Sequence, residues 1–448
     1  MDGRPGTSSA LVGMVFLLLS SGAAAAQEPE PVRPPGLPDK VQWRFGFDAG
    51  LGVFGFSNSL YLDVRPDPSG DLSDNWLESF VKASFAGSIA AGRSEFFGAV
   101  SAVGARTFAA PPPLVGDEAS SFQVEDAYLG WRSGSAIGVG EDALEFTVGR
   151  APYQLGHGFL LYDGAGEGGS RGGYWSNARE AWQFAGLAAF TVDVHAFEVF
   201  YLDRDELPEA ETGTGVWGAN YELSLGENTT FGATWMRWRA DAVSLPERDG
   251  LTVYNLRAFT APIAALPGLA FELEYAREEN GDLLRSTAWS AQAGYELATV
   301  GWKPRLSYRY AFFEGDDSAT SVNESFDTLL PGYYDWGTWW QGEIAGGYLL
   351  SNSNLISHQV RLHLTPRDRL SWGLIGYSFR LDQPASFAPG VTARQIMSEL
   401  DGYVDWSFND HVSVSFVAAL GNPQEAAEQG FQRTSNFTYG MVYLSYSF

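Results

Sequence analysis

The stretch from Val41 to Val53, "VQWRFGFDAGLGV", decides the fold. Read as an extended strand, it puts Val41, Trp43, Phe45, Phe47, Ala49, Leu51 and Val53 on one side. Gln42, Arg44, Gly46, Asp48, Gly50 and Gly52 fall on the other. Soluble strands run to about five or six residues, and this alternation is more than twice as long. A long segment with one apolar and one polar face is what a transmembrane barrel requires: apolar toward lipid, polar toward a wet lumen.

The pattern recurs. Leu306, Tyr308, Tyr310 and Phe312 oppose Arg305, Ser307 and Arg309, and Trp289, Ala291, Ala293, Tyr295 and Leu297 oppose Ser290, Gln292, Gly294 and Glu296. Marking every such run from 41–55 to 434–448 predicts an all-β chain of about 18 antiparallel strands, with 16 as the alternative. From the second strand on, alternate connections are short: around Gly92, 226–228, Val300-Gly301, Arg367-Asp368 and Asn409-Asp410. The longest are 151–180 and 314–354. Short turns on one side and long loops on the other place both termini in the periplasm of a bacterial outer-membrane barrel. The last run, "TYGMVYLSYSF" (438–448), alternates to its final residue. It is expected to close the barrel on the first strand, because an open edge cannot face lipid. Tyr446 and Phe448 are read as its assembly signal.

Composition agrees. There are 30 Phe, 20 Tyr, 15 Trp and 52 Gly, and no Cys, so disulfides and thiolate metal sites are excluded. "ALVGMVFLLL" (10–19) is too short to span a bilayer as a helix. With the small residues after it and Ala24-x-Ala26, it reads as a signal peptide over 1–26. The proline-rich segment 27–40 reads as a periplasmic linker, and 41–448 as the barrel.

The net charge of −26 disfavours nucleic acid as a partner. Of 28 basic residues only Lys40, Lys82 and Lys303 are lysine. Arginine's planar fork pairs at two points with carboxylates and phosphates. Arg44, Lys82, Arg257, Arg305, Arg309 and Arg361 fall on polar faces. They are read as a track of lumen cations for an anionic cargo, or else as partners of lumen carboxylates such as Asp48, Glu272, Glu274, Glu296, Glu399, Asp401 and Asp405. Arg239 and Arg277 lie near strand ends on the lipid side, suited to lipid phosphates. Outer-membrane lipid, lipopolysaccharide and the outer-membrane assembly machinery are the partners a barrel implies.

Two segments carry a family resemblance. "EFTVGRAPYQLGHGFLLYDG" (145–164) and "ESFDTLLPGYYDWG" (324–337), the latter followed by the hairpin 354–382, resemble the alginate-export family of outer-membrane barrels. The resemblance implies an 18-stranded channel for an acidic polysaccharide, working with a periplasmic export complex. It adds Arg150 to the cargo-binding set and makes Asp327 and Pro331 structural loop positions. A general or sugar-selective porin of the same fold is the alternative. No catalytic residue, cofactor or metal is expected. Gly164-x-Gly166-x-x-Gly169 lies in a loop with no following helix, which a dinucleotide site would need. His358 and His363 are five apart, so they take opposite faces of one strand. His157 and Ser170 share a loop, but nothing places an Asp behind the histidine, as a hydrolase would require.

Overall fold

The computed structural model describes residues 41–58, 74–109, 118–162, 164–176, 178–226, 228–260, 266, 268–332, 341–431 and 435–448. The expected signal peptide and linker lie outside the described residues, as do Asp163 and residues 333–337 of the two quoted motifs. The strands are β1 (Val41–Ser57), β2 (Asp74–Ala91), β3 (Ser94–Phe108), β4 (Ser120–Arg132), β5 (Leu144–Ala151), β6 (Trp182–Val192), β7 (His195–Asp203), β8 (Gly215–Ser224) and β9 (Thr229–Arg239). They continue with β10 (Thr252–Thr260), β11 (Leu269–Asn280), β12 (Leu284–Glu296), β13 (Arg305–Phe313), β14 (Leu355–Arg367), β15 (Leu370–Leu381), β16 (Gln395–Ser407), β17 (Val412–Pro423) and β18 (Phe437–Ser447). Among the described residues the count is 18, not 16.

Each strand pairs antiparallel with its neighbour in sequence, and β1 pairs with β18 from Asp48↔Ser447 to Ser57↔Thr438. The sheet therefore closes, as lipid demands. Phe448 extends the seam: its N–H donates to the Phe47 carbonyl at 2.9 Å, and its carbonyl accepts from Phe47 N–H at 3.0 Å. Turns at one end are short. Gly92 opens the β2–β3 turn with φ 70°, a conformation glycine adopts without steric cost. The alternation predicts a break near residue 189, but β6 runs on to Val192 and reverses at Asp193, whose φ is 52°. Aspartate tolerates that left-handed conformation better than most residues. Val300-Gly301 sits inside a longer connection, 297–304, in which Trp302 and Lys303 also take positive φ.

Outward side chains are apolar and exposed. Leu306, Tyr308, Val442 and Leu444 stand on the outer face, and Phe448 is 55% exposed. Such a surface is tolerable only in lipid. No helix among the described residues is long and apolar enough to cross a membrane, so the strands do the spanning.

The inward face divides into two halves. At the short-turn end it is polar and wet: Gln42 and Arg44 point inward and are exposed. At the long-loop end the expectation of a polar face fails. Phe54 stacks on Trp76 at 5.1 Å, and Phe56 meets Phe437 edge-on at 5.4 Å. All four are buried, because two long loops fold inward and cover them.

Candidate functional site

The inserted loops are 152–181, between β5 and β6, and 314–354, between β13 and β14. They meet inside the barrel through a parallel bridge, Leu161↔Leu330. Tyr162 N–H donates to the Leu330 carbonyl at 2.9 Å, and Gly332 N–H to the Gly158 carbonyl at 3.1 Å. Trp175 of the first loop packs on Phe54 at 5.4 Å and on Tyr443 at 5.0 Å. Tyr348 of the second packs on Phe56 at 5.9 Å and on Tyr439 at 5.6 Å. Aromatic pairs add about 0.5–1.5 kcal/mol each beyond their burial.

Wall carboxylates hold the loop backbones. Glu78 accepts from Trp175 N–H at 3.0 Å and Ser176 N–H at 2.8 Å. Glu125 accepts from Glu180 and Ala181 N–H at 2.7 and 2.8 Å. Gly342–Leu349 of the second loop forms a π-helical segment. Its Ile344 and Ala345 N–H groups donate to the two oxygens of Glu399 at 2.7 and 2.8 Å, and Glu343 N–H donates to Asp401 at 3.1 Å. The first turn of a helix has N–H groups without internal partners, and a carboxylate satisfies them strongly. Glu278 does the same for Asp327 N–H at 2.9 Å. Glu399 and Asp401 thus bind loop backbone, where the sequence suggested arginine partners.

The cations seen in the sequence separate in space. Arg150 ion-pairs with Asp205, as does Arg179. Arg171 joins them, 3.5 Å from Asp205, and donates to Gln123 at 2.7 Å. Arg179 Nε also lies 3.3 Å from Glu125. Burial would raise the Asp205 carboxyl, but its bond to Arg150 and the guanidinium of Arg179 outweigh this and hold it below the ordinary carboxylate range. Lys82 pairs with Asp126 at 3.0 Å. Arg257 is 4% exposed; it donates to Thr234, Asn255 and Asn220 at 2.8, 2.5 and 2.6 Å and lies 3.1 Å from Glu222. Arg309 faces inward and is 1% exposed. Arg305 and Arg361 remain partly exposed. Arg361 donates to Tyr403 Oη at 2.8 Å, and His363 Nδ1 lies 2.7 Å from the same oxygen. Of the other acids, Glu274 bonds Asn255 at 3.0 Å and Asp405 bonds Ser415 at 2.6 Å. Glu272 lies 3.7 Å from His157 of the inserted loop.

Asp327 forms a fork-to-fork pair with Arg248 and accepts Leu329 N–H at 3.0 Å, fixing a turn in which Leu329 has φ 56°. Pro331, half-buried, follows the bridge residue Leu330. His358 points outward to Tyr308, and His363 inward, as their spacing requires. Among the described residues no group of metal ligands gathers. The glycine-rich stretch forms a turn at Gly169–Arg171. Gly172 follows with φ 90° and approaches the carbonyls of Ala105 and Ala119 so closely that a Cβ would lie 2.8 Å from Ala105 O.

The sequence reading missed Arg171, Arg179, Asp205, Glu78 and Glu125. The one signal for them was the aromatic turn of the inward face after Gly52, which implies that something apolar fills that half.

Residues 270–440 match the family model for alginate export. Among solved structures, Pseudomonas aeruginosa OpdQ aligns with a TM-score of 0.59 at 11% identity, over 91% of this chain and 98% of that one. The outer membrane protein opdK of the same organism aligns at 0.58 and 11%, over 90% and 98%. Acinetobacter baumannii OccAB2 aligns at 0.57 and 12%, over 90% and 98%. No curated protein sequence matches. The structural likeness at these identities is one of fold: this chain is an 18-stranded outer-membrane β-barrel of porin-like architecture, with the alginate-export pattern in its C-terminal part.

Proposed function

We propose that the protein is an outer-membrane channel for an acidic saccharide, with both termini periplasmic and the outer half of the lumen closed by the two docked loops. The observation that carries this reading is a register. Ser307 pairs with Arg361, so Arg361 sits between Arg305 and Arg309 across the β13–β14 seam. Diagonal neighbours of this kind lie within about 7–8 Å. Arg305 and Arg361, both partly exposed, suit the carboxylates of a passing chain, while Arg309, 1% exposed, is part of the wall. Opposite charges about 4 Å apart attract by roughly 1 kcal/mol in water and about 4 kcal/mol at an effective dielectric of 20. Weak, repeated contacts of that size let a polymer enter and leave. Arg150 and Arg257 support the wall and the loops in this reading, while Arg44 and Lys82 line the approach from the short-turn end. The alginate-export pattern over 270–440 covers β13 and β14 and supports the cargo class.

One observation favours a small-solute porin instead. Glu296 pairs with Arg305 in register, and Glu272 interacts with Arg305 and Arg309, so carboxylates interleave with the cations. Planar-bilayer recording separates the readings. A uronate oligomer added to one side should block the current, a neutral oligosaccharide of equal length should not, and Arg305→Ala with Arg361→Ala should abolish the block. A cation-preferring pore, unchanged by these substitutions and blind to the oligomer, establishes the porin reading.

A further inference from the structure

The lipid-facing surface carries a second feature that transport does not use. Within the four neighbouring strands β9 to β12, at the long-loop end, outward positions hold Arg239 and Arg237 of β9, Arg277 of β11 and Arg285 of β12, all exposed. Charge on the lipid face of a barrel is costly near the midplane and nearly free at the interface. Trp217, which pairs with Arg237 and contacts Trp235 at 4.7 Å, and Tyr254, which pairs with Arg277, set aromatic rings level with these arginines, as the girdle at a membrane interface does. Two carboxylates share the outward positions. Asp203 lies 2.6 Å from Arg239, and Glu279 lies 2.5 Å from Arg277. Arg237 donates to Thr252 at 2.6 Å. These outward strand positions thus hold four guanidinium groups against two carboxylates in a chain of net charge −26, whose connecting loops here carry the exposed Asp241 and Asp282.

Beside this cluster, on the Arg239 side, the outer wall is hollowed. A groove of about 730 Å³ runs over β3–β9, floored by the small residues Gly186, Ala188, Gly218 and Ala219 and walled by Trp217 and Trp235. It is continuous with the cations, because Tyr201 lines it and also accepts a hydrogen bond from Arg239 at 2.9 Å.

We infer that this face binds a phosphorylated, multiply acylated glycolipid of the lipid A class, with phosphates on the arginines and an acyl chain in the groove. The spacing selects the headgroup. Arg239 and Arg285 are three strand steps apart, or roughly 14 Å. One phosphate cannot bridge that distance; a headgroup bearing two can. Arginine–phosphate pairs are two-pointed and charge-assisted. The inference rests on the long-loop end facing the outer leaflet.

Native mass spectrometry of the detergent-solubilised full chain tests it, with bisphosphorylated lipid A, its phosphate-free form and phosphatidylglycerol as probes. Bisphosphorylated lipid A should saturate the protein at a concentration at least tenfold below the other two. Arg237→Ser with Arg277→Ser and Arg285→Ser should bring the three within twofold, with single-channel conductance unchanged. Should that variant fail to insert, Ala188→Phe with Ala219→Trp fills the groove and should weaken lipid A binding at least fivefold. Equal retention of phosphatidylglycerol, or a preference that survives both variants, overturns the inference. So does a stable dimer sealed through this face and free of lipid, which would make a second copy the occupant.

Discussion

The two ends of the barrel interior are built on opposite principles. At the short-turn end the wall faces water, and Arg44, Arg305, Arg361 and His363 project into it. At the long-loop end the same strands carry Phe54, Phe56, Trp76 and Tyr439, and the lumen is a dry core completed by inserted loops. One sheet thus serves as the lining of a channel at one end and as half of a folded domain at the other. The difference is made by what the inward carboxylates hold. In the dry half Glu78, Glu125, Glu399 and Asp401 bind loop N–H groups; in the wet half Asp405 and Glu272 bind side chains.

The sharpest way to break this contrast is Glu399→Ala with Asp401→Ala. Hydrogen bonds to charged groups are worth about 1.5–3 kcal/mol each, so losing two or three should raise the population with the second loop released by roughly a hundredfold or more. Single-channel conductance should rise accordingly; an unchanged conductance would mean that the aromatic packing alone holds the loop.

Phe448→Asp acts at the other end, where no loop braces the wall. It places a charge on the lipid face at the seam residue that clasps Phe47. Heat-modifiable, membrane-inserted protein should fall about tenfold, since a charge on the lipid face costs up to about 2–4 kcal/mol at depth. Normal yield would remove Phe448 from the assembly signal.

A labelling pair sharpens the boundary between the halves. The chain has no cysteine, so Arg305→Cys and Phe56→Cys each introduce one thiol. A water-soluble maleimide should modify position 305 several-fold faster than position 56. Equal rates would show that water reaches both ends.

The smallest effect concerns pH. Asp205 sits below the ordinary carboxylate range in the folded protein, so its pairing stabilises the first loop above about pH 4. That contribution fades as pH falls through the depressed value. Protease nicking of loop 152–181 should be faster in Asp205→Asn than in the wild type at neutral pH, and the gap should close in acid.

The strands were legible because lipid along the middle of the wall enforces the alternation, with charged exceptions such as Arg237 and Arg277 only toward the strand ends: Leu306, Tyr308, Val442 and Leu444 could face nothing else. The inserted loops were not, because Leu160, Leu161, Leu330 and Ile344 are apolar without any period. Their partners are also far off in sequence, as Glu399 is from Ile344. An inward glutamate reads the same whether it will meet an arginine or a backbone amide. The convergence of Arg305, Arg309 and Arg361 was readable, since adjacent strands fix register. That Arg309 ends nearly fully buried was not, because its cover comes from distant segments.

The aromatic core has a mechanical consequence as well. Trp175 and Tyr348 do not pack at random around the wall; they touch Phe54, Phe56, Tyr439 and Tyr443, the residues flanking the joint between β1 and β18. That joint unites Asp48 with Ser447 and, beyond them, Phe47 with Phe448, the most distant strand pairing among the described residues and the last that a sequential hairpin assembly can make. Loop-closure entropy opposes it more than any other. The docked loops are therefore also a clasp across the joint that closes the barrel.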